Sequence, residues 1–232
     1  WKYSKNYLKK GGAMSFSNEW DDRYQENTHM SIWPWSDLVS LVMRHISKKE
    51  SFKVLELGCG AGANIPFFIS LGADYYAVEG SKVIVKKLHL QYPQFKKNII
   101  VGDFTKDIPN EKFDLIFDRA ALTHNSEASI VQCLEKCLQQ LDDTGKFIGV
   151  DWFSTEHSDS IYGEQAEDIW TKFNFKKGGF SNVGKVHFSN KVHLLELFQN
   201  FKILNMTHKV SSEKIPDSDR MLASWNFVAE KI

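Results

Sequence analysis

Residues 54–64 read Val54-Leu55-Glu56-Leu57-Gly58-Cys59-Gly60-Ala61-Gly62-Ala63-Asn64, an apolar run closed by glycine at every second position and followed by a helix-like segment. A chain with this succession is driven towards strand, sharp turn and helix. Glycines at that spacing let the backbone bend tightly and lie flat against a ligand, because no Cβ intervenes. The acid two residues ahead of Gly58 favours a ligand carrying positive charge near the turn. Nucleotide phosphates would prefer the opposite sign.

Strand-like and helix-like runs alternate regularly around this turn. Strands are expected at 52–57, 75–79, 98–102, 113–118 and 146–152, with helices at 63–71, 81–91 and 126–141. The last helix is expected to start from a Ser126 cap, to bury Ile130, Val131, Leu134, Cys137, Leu138 and Leu141, and to stop at Gly145. Strands separated by helices at this spacing predict a parallel sheet covered on both faces. Upstream, residues 31–49 predict a helix capped by Asp37, with Leu38, Leu41, Val42, His45 and Ile46 on its apolar face. The ending differs. A helix from Ser189 or Asn190 to Asn200 precedes strands at 201–208 and 223–231, joined by a loop at 209–222. With no helix between them, those two strands must pair antiparallel or lie apart. The stretch 153–188 has no regular pattern and follows a strand's carboxyl end, so it is expected to act as a lid or substrate wall. Residues 1–13 read as an extension or expression remnant ahead of Met14, 14–50 as a helical cap, and 51–232 as the main domain.

Composition narrows the chemistry. Lysine plus arginine equals aspartate plus glutamate at 29 each, so the net field offers nothing to attract nucleic acid. No stretch approaches the ~20 apolar residues that cross a bilayer, and no signal-peptide pattern opens the chain. Cys59, Cys133 and Cys137 form neither a disulfide framework nor a zinc pattern, so no metal is expected and a reducing cytoplasm is. Trp20, Trp33, Trp35, Trp152, Trp170 and Phe180 fall in polar surroundings, where aromatics either plug a core edge or line a pocket.

Glu79 closes the second strand 21 residues after Gly58. An acid at that distance accepts ribose hydroxyls of an adenosine-containing ligand, or else is a solvated strand-end carboxylate. After the third strand, Asp103 offers an acceptor to an adenine amino group and Phe104 an apolar face to the ring. The set Glu56–Gly62, Glu79, Asp103-Phe104 and Phe113-Asp114-Leu115-Ile116-Phe117-Asp118 resembles the class I methyltransferases that use S-adenosylmethionine, over roughly residues 35–231. The resemblance implies an α/β, Rossmann-like three-layer sandwich with a seven-stranded, mostly parallel sheet and an antiparallel last strand. It further implies that Glu56, Gly58, Cys59, Gly60, Gly62 and Asn64 surround the methionine end of the cofactor. Glu79, Gly80 and Ser81 would meet the ribose, Asp103 and Phe104 the adenine, and Asp118, Arg119 and Ala120 the floor near the sulfonium. Tyr24, with Trp20 and Arg23, would fold over the cofactor's carboxylate end, or else pack against the following helix. The product would be S-adenosylhomocysteine.

The methyl acceptor is less constrained. The stretch 118–125 replaces the Asn/Asp-Pro-Pro-aromatic motif of enzymes acting on nucleic-acid amines, and no cysteine stands where cytosine-C5 enzymes carry theirs. A small-molecule acceptor is therefore expected, through oxygen or nitrogen, with a sugar or glycan precursor preferred. Residues 32–38 and 151–159 resemble bacterial methyltransferases of surface-glycan biosynthesis. His124, just beyond the fourth strand, is a candidate proton acceptor or a backbone-bonded helix-entry histidine. Asp151 is a second candidate, followed by Glu156-His157 and then 182–187. The protein is expected to be a monomer or homodimer without nucleic-acid or membrane partners. Two competing classes remain: an NAD(P)-dependent oxidoreductase, since Gly58-x-Gly60-x-x-Ala63 fits a looser dinucleotide pattern, and a cofactor-binding subunit without turnover.

Overall fold

The structure, a computed structural model, describes residues 31–47 and 52–232. Tyr24, Trp20, Arg23 and the 1–13 extension lie outside the described residues, as does most of the 14–50 cap.

Helix α1 (Ser36–His45) leads into β1 (Lys53–Leu57), α2 (Ile65–Ser70), β2 (Asp74–Glu79), α3 (Lys82–Gln91), β3 (Ile99–Val101) and β4 (Phe113–Arg119). There follow α4 (Glu127–Gln140) and β5 (Leu141–Phe153), then short strands β6 (Glu164–Gln165), β7 (Thr171–Phe173) and β8 (Val186–His187). Helix α5 (Lys191–Leu197) and strands β9 (Phe201–Ser212) and β10 (Met221–Lys231) complete the order. The main sheet has seven strands in the order β3-β2-β1-β4-β5-β10-β9. Strands β1 to β5 run parallel, and β10 pairs antiparallel with both β5 and β9. This is the expected Rossmann-like α/β sandwich.

Side-chain parity makes the three layers. In β1, Val54 enters one apolar cluster with Leu38, Leu41 and Val42 of α1 and with Phe68 and Leu88 of α2 and α3. Leu55 enters the other, with Ile130, Cys133, Leu134 and Cys137 of α4 and Leu194 of α5. Strands buried on both faces need continuous apolar runs, and β1 and β4 have them. Strand order reverses between β1 and β4, and it is outside the carboxyl ends of the strands at such a switch point that open α/β sheets have their ligand crevice.

Several local expectations are corrected. Trp35, not Asp37, caps α1; Asp37 stands in its first turn, paired with Lys209. Helix α4 ends at Gln140 rather than at Gly145, because Leu141 already pairs with Phe113. Gly145 lies within β5 where the register jumps from Phe113–Leu141 to Leu115–Lys146, and a Cβ there would sit 2.8 Å from the Phe113 carbonyl oxygen. The Ser126 hydroxyl reaches Ser129 Oγ rather than a helix N–H, Val131 is exposed, and Cys133 takes its place in the buried stripe. Helix α5 is shorter than expected and β9 and β10 are longer, leaving a loop of 213–220. Residues 153–188 are less irregular than expected. β6, β7 and β8 form an antiparallel sheet over a cluster of Phe175, Phe180, Val183, Val186 and Phe188, against which Phe153 packs.

Candidate active site

The glycine loop sits at the β1 end of the crevice, and its conformation requires glycine. Gly58, Gly60 and Gly62 have φ of 71°, 50° and 81°, the left-handed region that other residues rarely adopt. A Cβ at Gly58 would lie 2.5 Å from Ala121 Cβ and 3.4 Å from Phe104 Cε1. The turns after β1, β3 and β4 thus converge on one point. At Gly62 a Cβ would strike Leu88 Cδ2 at 2.7 Å, so this glycine lets α3 close on the loop.

Glu79 ties the loop to β2. Its carboxylate accepts from Gly60 N–H at 2.8 Å and from Ser81 N–H at 2.9 Å. Ser81 Oγ in turn accepts from Ile84 N–H and caps α3, while Gly80 is half-buried between them. A carboxylate offers about four lone-pair directions, so these bonds are compatible with acceptance of hydroxyls as well.

Glu56 lies beneath the loop, 2 % exposed. It accepts from Asn64 Nδ2 at 2.8 Å and from the Tyr75 hydroxyl. Among the described residues no ion pair reaches it. Burial pushes its pKa up to about 8, against the lowering effect of those two bonds, and the charges of Glu79 and Asp118 add to the rise. Asn64 Oδ1 also accepts from Trp35 N–H at 3.3 Å, so one side chain links the entry of α1 to Glu56. Cys59 is buried nearby, and its thiol is pushed well above the usual range by burial and by Glu79 and Glu56.

Asp103 accepts from Thr105 N–H and Oγ1–H at 3.1 and 2.6 Å and pairs with Lys106 at 3.3 Å. Phe104 is half-buried and faces Gly58. Asp118 is fully buried and turned inward; its Oδ1 accepts from Ala121 and Leu122 N–H, both at 2.9 Å. It thereby shapes the turn through Ala120, whose φ is 55°. Its Oδ2 and the Trp152 indole nitrogen are both buried without a partner in bonding geometry. Burial raises the Asp118 pKa to about 7, although the nearby indole N–H favours the charged form. Arg119 stacks its guanidinium on Trp35, 3.6 Å from the ring centre, and pairs with Asp151 through both Nε and Nη2 at 3.1 Å.

His124 ends a short 3₁₀ turn, Leu122–His124. Its Nδ1 lies 2.9 Å from the Lys185 carbonyl oxygen and its ring meets Phe153 edge-on at 5.6 Å. A carbonyl only accepts, so Nδ1 carries the proton and the lone pair of the neutral ring is on Nε2. Asp151, at φ 55°, is held by Arg119 and by Lys209 at 3.4 Å. Glu156 is exposed, and His157 accepts from Asp159 N–H within the 153–188 segment. Sequence reasoning missed Tyr75, Ala121, Lys209 and the Trp35–Arg119 stack. Tyr75 shares a sheet face with Ala77, which pairs with Glu56; strand parity would reveal it only once the β1–β2 register was known.

The arrangement is rich in carboxyl groups around a glycine cradle. Glu56, Glu79 and Asp118 bring three buried carboxyl groups to the loop, which fits a ligand with ammonium and sulfonium charges and disfavours a pyrophosphate. Residues 55–149 match a family model described as a methyltransferase domain. The phosphoethanolamine N-methyltransferase of Plasmodium falciparum (isolate 3D7) is 26 % identical over 215 residues, 80 % of each chain. Among solved structures, a methyltransferase of Methanosarcina mazei superposes with a TM-score of 0.64 at 12 % identity, covering 86 % of this chain and 99 % of its own. The N-methyltransferase NodS of Bradyrhizobium japonicum, in complex with S-adenosylhomocysteine, gives 0.63 at 12 % identity over 93 % and 99 %. At such identities the structural likeness speaks for the fold; the matched domain, the relative and the glycine–carboxylate cradle speak for the chemistry. Residues 55–149 are a methyltransferase domain on a Rossmann-like fold, and the chain is an S-adenosylmethionine-dependent methyltransferase.

Proposed function

We propose that this enzyme methylates the amine nitrogen of a small-molecule acceptor, with His124 taking the proton. The observation that carries this reading is the Nδ1–H bond of His124 to the Lys185 carbonyl, which fixes the ring and leaves Nε2 the basic atom. Nitrogen is preferred to the hydroxyl of a sugar or glycan precursor, because the relative aligned over 80 % of both chains is named for an amine acceptor. The cofactor supplies a methyl carbon already activated by its sulfonium. The protein's share is alignment, desolvation and management of the acceptor's proton.

In this reading Glu56 and the backbone of Gly58, Cys59, Gly60 and Gly62 hold the methionine end, with Asn64 orienting Glu56. Glu79, Gly80 and Ser81 meet the ribose; Asp103 and Phe104 meet the adenine. Ala120 and the Asp118-shaped turn form the floor. Arg119 and Asp151 act as positioning residues that hold α1 against the strand ends, since two cations already engage the Asp151 carboxylate. Residues 153–188 form the acceptor wall, with Phe153 and Lys185 set against His124.

Following S-adenosylhomocysteine release over a panel of small amines (ethanolamine and phosphoethanolamine among them) and of sugars tests the reading. Turnover is expected with an amine, and His124→Asn should lower kcat by roughly 10²–10⁴-fold while leaving S-adenosylhomocysteine affinity unchanged. Turnover on sugars alone would overturn the nitrogen assignment. An unaltered kcat in H124N would remove His124 from the chemistry, and cofactor binding without turnover on any acceptor would favour a binding subunit.

A further inference from the structure

On the α4–α5 side of the sheet, away from the glycine cradle, a chain of hydrogen bonds has one determined direction. The Asp168 carboxylate can only accept, so Thr171 Oγ1–H donates to it at 2.9 Å. Thr171 Oγ1 therefore accepts from His187 Nδ1–H at 3.0 Å. His187 Nε2 is then an acceptor, and His193 Nε2–H donates to it at 3.1 Å. The chain ends on a lone pair at His193 Nδ1. That residue is 1 % exposed, its ring is stacked against Trp170 at 4.0 Å, and Nδ1 is buried without a hydrogen-bond partner.

Nδ1 faces more acceptors. Glu127 Oε1 is 4.0 Å away and Glu196 Oε2 is 3.8 Å away. Burial, Asp168 and Glu196 raise the Glu127 pKa, the mark of a crowded anionic spot. Three acceptors converging on one point call for a donor with positive charge. Among the described residues no group of three such side chains is arranged to hold a metal ion, so an ammonium, which carries charge and donates hydrogen bonds without needing a coordination shell, is the fitting donor. Glu127 and Glu196 also line a cleft of about 220 Å³ between α4 and α5. Its floor is apolar, from Val131, Leu134, Leu138, Leu197 and Phe201, and Glu135 stands further along it. None of the lining residues is basic. Glu127 and Glu135 are two helical turns apart, about 12 Å along α4.

We infer that this cleft binds a linear polyamine: one ammonium donates to Glu127, Glu196 and His193 Nδ1, the methylene chain lies on the leucine floor, and a distal ammonium reaches Glu135. The site is independent of the acceptor assigned above.

Calorimetry and thermal unfolding of the whole protein with spermidine, butylamine and Mg²⁺ at low salt form the test. Spermidine at ten times its Kd should raise Tm by about 3 °C or more. The E127Q/E196Q double variant should lose at least tenfold in affinity, and E135Q should lose the preference for spermidine over butylamine. Both altered glutamates are partly exposed, so the variants should keep the unliganded Tm of the parent. Equal spermidine affinity in E127Q/E196Q, no heat at millimolar amine, or an equal Tm shift from Mg²⁺ would overturn the inference. So would a ¹⁵N spectrum showing His193 as imidazolium at neutral pH without amine, since a proton would then satisfy the cluster.

Discussion

Glu56 stores a protonation event at the foot of the proposed cofactor site. With a pKa of about 8 in the unliganded protein, it is mostly neutral at pH 7. An ammonium placed beside it favours the carboxylate, so binding on the proposed arrangement must expel a proton. Below pH 8, S-adenosylhomocysteine affinity should therefore rise with pH, by at most about tenfold per unit, and level off above it. Calorimetry in buffers of different ionisation enthalpy should read close to one proton released at pH 7. Glu56→Gln keeps an acceptor for Asn64 Nδ2 but cannot ionise. That variant should bind about 10²-fold more weakly, a loss of roughly 2–3 kcal/mol for a charge-assisted contact, and its affinity should not vary with pH. A parent enzyme that releases no proton at pH 7 would show that Glu56 does not face the ammonium.

At the scale of elements, the site exists because the turns after β1, β3 and β4 meet at Gly58. Gly58→Ala places a methyl group 2.5 Å from Ala121 Cβ at a φ of 71°. Left-handed backbone costs about 1–2 kcal/mol and overpacking about 1–3 kcal/mol, so denaturant titration should show a loss of roughly 2–5 kcal/mol with cofactor affinity falling in parallel. Retention of both would mean that the β4 turn can step aside. The sequence exposed this arrangement only partly. Apolar runs ending in glycine, or in Glu79, marked where the strands stop, and the absence of a helical period between 201 and 231 marked the antiparallel ending. Gly145 misled because a glycine after an apolar helix looks the same whether it caps the helix or sits in a strand; the β4–β5 register, a tertiary property, decides. Strands of two or three residues, as in β6–β8, are too short to display a period. Nor does any local pattern reveal that Trp35 stacks on Arg119 while Asp151 and Asp37 share Lys209, since those contacts join segments far apart in the chain.

For the molecule as a whole, two sets of buried groups act on stability in opposite directions. His187, pushed down to about 3, and His157 and His193, also lowered by burial, remain neutral in the folded protein where the unfolded chain takes up protons below about 6.5. The unfolded state binds more protons there, so these histidines make stability rise with pH up to about 6.5. Glu56 and Asp118, raised from 4.5 and 3.8 to about 8 and about 7, do the reverse. The folded state keeps protons that the unfolded chain has lost, so their contribution falls as pH rises and is spent above about 8. Between about 4.5 and 6.5 the two sets oppose each other; above 6.5 only the carboxylates still act. At about 1.4 kcal/mol per pH unit and group, the cofactor-free protein should lose roughly 2–3 kcal/mol between pH 6.5 and 8. Saturating S-adenosylhomocysteine should remove most of that fall, because the proposed ammonium partner lets Glu56 ionise in the folded state. Asp118→Asn, which keeps an oxygen for the Ala121 and Leu122 N–H groups, should remove the part below pH 7. Urea titrations at pH 5.5, 6.5 and 8, with and without ligand, measure all three effects. Stability still climbing from 6.5 to 8 in the free protein would mean that these carboxylates are already ionised in the fold, and the crevice would then need a resident cation to hold its charge.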